Sequence, residues 1–173
     1  MLIDRYLHTY SFSERHSIII NCSIRELYPK VLKTNFSQSA WIRFLFKLRG
    51  MPSHSVTVDK MESLGFIRLA EEPPVEIVLG IATRSWMFNG CLLSVSPYEF
   101  LQLNGKGLIK AVINFYLKEI SNASTLLTTE TRVFCGDRNM KWKFSIYWFF
   151  ISPFSKLIRR LMLLQIKKGC IPT

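Results

Sequence analysis

Glu130 and Arg132 stand two positions apart in a strand-like run, Thr128-Thr-Glu-Thr-Arg-Val-Phe134, so they share one face. Leu126, Thr128 and Phe134 join them, while Leu127, Thr129, Thr131 and Val133 take the other face. In the preceding strand-like run Asn114 falls with Val112 and Tyr116, opposite Ala111, Ile113, Phe115 and Leu117. A carboxylate, a guanidinium and a carboxamide lining a cavity can orient a polar head group or polarise a carbonyl. The same groups on an outer sheet face would make a cross-strand salt bridge that contributes little. Both readings stay open, because the apolar face of Ile113, Phe115 and Leu117 competes for the interior.

Four further side chains belong to the cavity candidates. Arg84 and Trp86 follow a strongly apolar strand; they suit either a gate or an edge arginine against an aromatic ring. Trp41 lies on the apolar face of an expected helix. Tyr147 belongs to an aromatic-rich terminal helix, whose inward face can fill a core or line a pocket.

Other chemistries lack their patterns. His8, His16 and His54 show no metal-ligand spacing, so no metal is expected. Cys22, Cys91, Cys135 and Cys170 form no CxxC pair; reduced structural thiols in a cytoplasmic protein fit best. No Gly-x-Ser-x-Gly elbow, P-loop or dinucleotide fingerprint occurs, so no catalytic residue and no cofactor is assigned.

The 173 residues suit one domain, residues 1–173, with residues 1–12 as a loose N-terminal segment. Aromatics at 13% argue against disorder. The net charge of +11 leaves an anionic membrane surface or acidic partner open. Nucleic acid is not expected, because no zinc-finger, RNP or helix-turn-helix signature supports it. The N-terminus carries no signal-peptide pattern, and the sequons at Asn21, Asn35 and Asn122 read as chance matches. The charge-free run Phe144 to Ser155 has Pro153 within it and is too short to span a bilayer. A buried core helix is the expectation, with an interfacial helix as the alternative.

These residues need elements to hold them. A first strand is expected over His16 to Asn21, and a capping box at Ser23 and Glu26 opens a helix to about Lys33, with Pro29 inside. Trp41, Phe44, Leu45 and Leu48 make the apolar face of a second helix from Ser37 to Arg49, and Val58 to Leu64 suits a third. Strands follow over Phe66 to Ala70, Val75 to Thr83 with Gly80 as a bulge or close approach, and Leu92 to Val95. Ser96 caps a helical turn with Pro97 at its first position. Leu108 to Ile120 and Thr125 to Phe134 form a hairpin, and Asp137 caps a final helix from Arg138 to Lys168. The sum is an α+β architecture, a mainly antiparallel sheet with its helices on one side.

Three segments resemble the SRPBCC superfamily, which includes START lipid-transfer domains, birch-pollen-allergen-like proteins and polyketide cyclases. Ser17-Ile-Ile-Ile-Asn-Cys-Ser-Ile-Arg-Glu-Leu-Tyr28 resembles its opening strand, turn and first helix. Leu126 to Val133 resembles the last strand, and Tyr147 to Arg160 the terminal helix, of uncharacterised bacterial members. The resemblance spans nearly the whole chain and implies a helix-grip fold, a curved antiparallel sheet wrapped around a long C-terminal helix. It also implies a cavity for a hydrophobic or amphipathic, lipid-like small molecule. The loop glycines of the allergen-like members are not evident; Gly105 and Gly107 are the only glycine pair, a weak signal. The leading expectation is therefore a small-molecule-binding module. One alternative is a polyketide cyclase/aromatase-like enzyme using Asn114, Glu130, Arg132 or Tyr147. Another is a peripheral membrane or partner-binding protein using its basic surface. Ligand identity and oligomeric state are not legible.

Overall fold

The computed structural model of the chain describes residues 1–38, 43, 56–84 and 92–170. Its elements are α1 (Ile3–Tyr6), β1 (Phe12–Ile20), α2 (Ile24–Lys33), two 3-10 segments (Phe36–Gln38 and Val58–Leu64), β2 (Ile67–Glu72), β3 (Glu76–Thr83), α3 (Pro97–Gln102), β4 (Ile109–Ser121), β5 (Ser124–Cys135) and α4 (Arg138–Lys168). The expected helix over Ser37 to Arg49 lies outside the described residues, except for the 3-10 turn at its start.

The five described strands form one antiparallel sheet in the order β1-β5-β4-β3-β2. With α4 packed across it, the arrangement is a helix grip. The β4–β5 hairpin is the sheet centre, and its register pairs Asn114 with Glu130 and Val112 with Arg132. Leu92 makes only an isolated bridge to Thr83, so the expected strand over Leu92 to Val95 does not form.

Local chemistry sets the element ends. The Ser23 hydroxyl accepts from the Glu26 amide at 3.4 Å, which is one half of the expected capping box; the Glu26 carboxylate instead accepts from the Cys22 thiol. Ser96 and Glu99 complete a reciprocal box on α3. Asp137 accepts from Met140 N at 2.8 Å and from Gly107 N at 2.7 Å, so one carboxylate caps α4 and closes the loop before β4. Pro29 and Pro153 are accommodated within continuous helices.

Helices cover both sheet faces, not one. On the inner face, Ile77 and Leu79 of β3, Phe115 and Leu117 of β4 and Leu127 of β5 meet Leu27 and Val31 of α2 and Ile158, Met162 and Ile166 of α4. Phe144 near the start of α4 continues this layer against Ile109, Ala111 and Val133. On the outer face, Val78, Ala82 and Val112 meet Ile3 and Leu7 of the N-terminal segment and Phe100 of α3. Residues 2–7 of the segment expected to be loose therefore form part of the second layer, where Ile3 and Leu7 bury apolar side chains, while Phe12 already belongs to β1. Gly80 marks a close approach: a Cβ there would lie 2.7 Å from Leu69 Cδ1 and 3.0 Å from Phe100 Cε2.

Candidate functional site between the terminal helix and the sheet

β1 alternates cleanly. Phe12, Glu14, His16, Ile18 and Ile20 turn inward, and Ser13, Arg15, Ser17 and Ile19 are exposed. Two of the five inward positions are therefore ionisable. The register sets Glu14 beside Thr131 and His16 beside Thr129 on β5. Glu14 Oε1 lies 2.8 Å from His16 Nε2. Arg159 descends from α4 and donates Nη1 to Thr129 Oγ1 at 2.7 Å. Glu14, Thr129, Thr131, Ser155 and Arg159 are all buried, whereas the His16 side chain keeps 14% of its surface exposed.

This cluster carries polar capacity that the fold leaves unused. Glu14 Oε2 and Thr131 Oγ1 are buried and have no hydrogen-bond partner among the described residues. An unmatched buried acceptor costs roughly 1–3 kcal/mol. A ligand hydroxyl or amide donating to Glu14 would remove that cost. Chemically, a carboxylate bonded to an imidazole is an acid–base pair, and the guanidinium and hydroxyls around it are donors suited to a carbonyl or carboxylate.

Asn114, Glu130 and Arg132 come together elsewhere, on the outer face and away from α4. Glu76 Oε1 accepts from Asn114 Nδ2 at 2.6 Å, and Glu76 Oε2 accepts from Leu2 N at 2.6 Å. Asn114 Oδ1 accepts from Glu130 N at 2.9 Å, and Glu130 Oε1 accepts from Arg132 Nε at 2.6 Å. Arg132 then donates to Leu7 O at 3.1 Å and pairs with Asp4 at 2.8 Å, with Tyr10 over its guanidinium. Glu130 and Arg132 thus meet neither bulk water nor the α4 interface; they hold the N-terminal segment on the sheet. Burial opposes ionisation of Asp4, but Arg132 and the N-terminal ammonium win and hold its carboxyl below the ordinary range. Burial works against the Arg132 charge too, and Glu130 with Asp4 overcome it.

Beside that network, Tyr6, Leu7, His8, Thr9, Asn104, Lys110 and Phe134 line a cavity of about 160 Å³. Sites for drug-sized ligands run from about 300 Å³ upward, so this space suits waters or a very small molecule. Lys110 is buried, donates to Phe100 O at 3.2 Å and lies against the Phe100 and Phe134 rings. Desolvation pulls its pKa down.

Tyr147 is half-buried on α4, 5.4 Å from the Phe144 ring centre, on the opposite side of the sheet from Arg132. Arg84 is exposed just past β3. Trp41 and Trp86 lie outside the described residues. Burial pushes Cys22 and Cys135 up to about 11, Cys22 with help from Cys170, so both are protonated thiols at neutral pH and poor nucleophiles. Among the described residues no three His, Cys, Asp or Glu side chains gather to hold a metal, and no helix is long and apolar enough to cross a membrane. Glu14, His16 and Arg159 escaped the sequence reading, although the parity of residues 12–20 carried the signal for the first two.

No family model matches the chain, and no curated protein matches it in sequence. The crystal structure of a conserved protein from Geobacillus kaustophilus is similar to it, with a TM-score of 0.49 at 14% identity, covering 92% of this chain and 95% of that one. The di-domain ARO/CYC BexL from the BE-7585A biosynthetic pathway is similar with a TM-score of 0.37 at 11% identity, covering 91% of this chain and 46% of that one. At TM-scores below 0.5 neither likeness bears on function; the fold rests on the strand order and register given above.

Proposed function

We propose that this chain is a small-molecule-binding protein of SRPBCC type. It takes a hydrophobic or amphipathic ligand between α4 and the sheet, with the ligand's polar group at Glu14, His16 and Arg159. The observation that carries this reading is Glu14 Oε2, a buried carboxylate oxygen without a donor on the helix-facing side of the sheet. The apolar surroundings of Ile18, Leu127, Ile158 and Met162 suit the rest of an amphipathic molecule. The unpaired thiols Cys22, Cys135 and Cys170 support a reducing, cytoplasmic setting.

Native mass spectrometry of protein purified from its own host tests the reading. The expected result is a stoichiometric added mass that Glu14→Leu removes. A ligand-free wild type, or a ligand retained in the Glu14→Leu protein, would overturn it. A second reading, a cyclase/aromatase-like enzyme, is favoured by the 2.8 Å Glu14–His16 contact. It predicts that His16→Gln keeps the bound mass and abolishes turnover of the molecule identified.

A further inference from the structure

The outer side of α4 has a composition that folding does not explain. Trp142, Ile146, Phe149, Phe150, Phe154 and Leu157 are exposed by 39–75%, with Phe149 at 75% the most open. Trp142, Ile146, Phe149, Phe150 and Leu157 fall on the side away from Met140, Phe144, Ile158 and Met162, which are buried, and Phe154 lies at the border between the two sides. From Trp142 to Leu157 the stripe runs about 22 Å along the helix. Single exposed apolar residues are ordinary, but a contiguous patch of this size marks an interaction surface.

Charge identifies the occupant. Arg138, Lys141 and Lys143 flank one end of the stripe, and Lys156 and Arg160 flank the other; all five are exposed. The 31-residue helix has no acidic residue. A second copy of this chain docking on the same face would set basic rim against basic rim, in a molecule already at +11. An anionic bilayer surface complements both parts, because its headgroups attract the basic residues and its acyl boundary accepts Trp and Phe side chains.

We propose that the outer face of α4 docks this protein on anionic lipid membranes. The helix lies parallel to the surface, and its aromatic side chains enter only the headgroup–acyl boundary, about 5–10 Å deep. Its inner face stays on the sheet, so docking and ligand binding use opposite sides of one helix and are independently testable.

The test is co-sedimentation of the full chain with vesicles of phosphatidylcholine alone and of phosphatidylcholine with 30% phosphatidylglycerol. The expected result is binding to the anionic vesicles only, weakened at least about tenfold between 0.1 and 0.5 M salt. Phe149→Ser with Phe150→Ser should weaken it about tenfold or more and leave the circular dichroism and melting temperature unchanged, since both rings are exposed. A charge variant, Lys156→Glu with Arg160→Glu, should also lose binding. Absence of binding to anionic vesicles would overturn the proposal, as would binding that ignores the phenylalanine pair. Concentration-dependent dimerisation that the pair abolishes, without vesicle binding, would assign the face to a second copy and overturn it equally.

Discussion

Glu14 and Lys110 are both buried ionisable side chains, yet their surroundings assign them different roles. Glu14 is tied to His16 through one oxygen, and its second oxygen lacks a donor. Replacing it by Leu removes a carboxylate from an apolar layer, so Glu14→Leu should stabilise the free protein by about 1 kcal/mol in urea denaturation while losing the ligand. A loss of stability would mean that the fold itself needs Glu14. Lys110 has one carbonyl partner and no carboxylate within ion-pair distance among the described residues. Its folded-state pKa is depressed by desolvation, so at neutral pH its charge is a cost that disappears as pH rises toward the ordinary lysine value of 10.5. Lys110→Met should therefore gain about 1 kcal/mol at pH 7, with the gain shrinking at pH 10. A gain independent of pH would show that packing, not charge, governs the site. Neither role was legible beforehand. Parity places Glu14 on a face, but only the strand's true start at Phe12 shows that this face is the inner one. Lys110 sat in a long hairpin strand whose two faces could not be told apart from sequence.

Hairpin, caps and terminal helix were legible because their signals are local. Asn122-Ala123 makes the turn between β4 and β5, Asp137 caps α4, and Pro97 follows its Ser96 cap. The outer layer was not legible, because it depends on the N-terminal segment reaching residues more than seventy positions away. Leu2 N on Glu76 and Arg132 on Leu7 O span 74 and 125 positions. Removing the guanidinium with Arg132→Met would strand Glu130 as a buried charge, at a cost of about 3–5 kcal/mol. Asp4→Asn removes the other partner, whose side chain is half exposed, and should cost under about 1 kcal/mol. Comparable losses from the two variants would contradict the network as drawn. Gly80 gives a sharper probe of the same layer. Its outward Cβ would press on Leu69 and on the fully buried Phe100 ring. Gly80→Ala should cost about 1–3 kcal/mol and speed limited proteolysis near residues 2–9; an unchanged protein would mean that α3 can shift freely.

At the scale of the whole molecule, charge and titration oppose each other. The sequence pI is about 9.8, and net repulsion falls as pH approaches it. Stability should nevertheless decline there, because of the thiols and of Tyr28, whose hydroxyl burial and Glu71 push up from its ordinary 10.0. Cys22 and Cys135 rise from an ordinary 9.0 to about 11 on folding. A folded-state pKa raised above the unfolded one contributes stability that is complete below pH 9 and lost as pH climbs toward 11, at roughly 1.4 kcal/mol per unit for each thiol. Asp4 and Glu71 act at the acid end with the opposite sign: their folded values lie below the ordinary 3.8 and 4.5, so their contribution is present above those values and lost below them. Urea denaturation from pH 2 to 11 should therefore show a plateau between about pH 5 and 9 that falls on both sides, with no maximum at the pI. Lys110 softens the alkaline fall, since its buried charge is relieved over the same range. In Lys110→Met that relief is gone, and the decline from pH 9 to 11 should be steeper than in the wild type. A variant that declines more gently would reverse the sign assigned to Lys110.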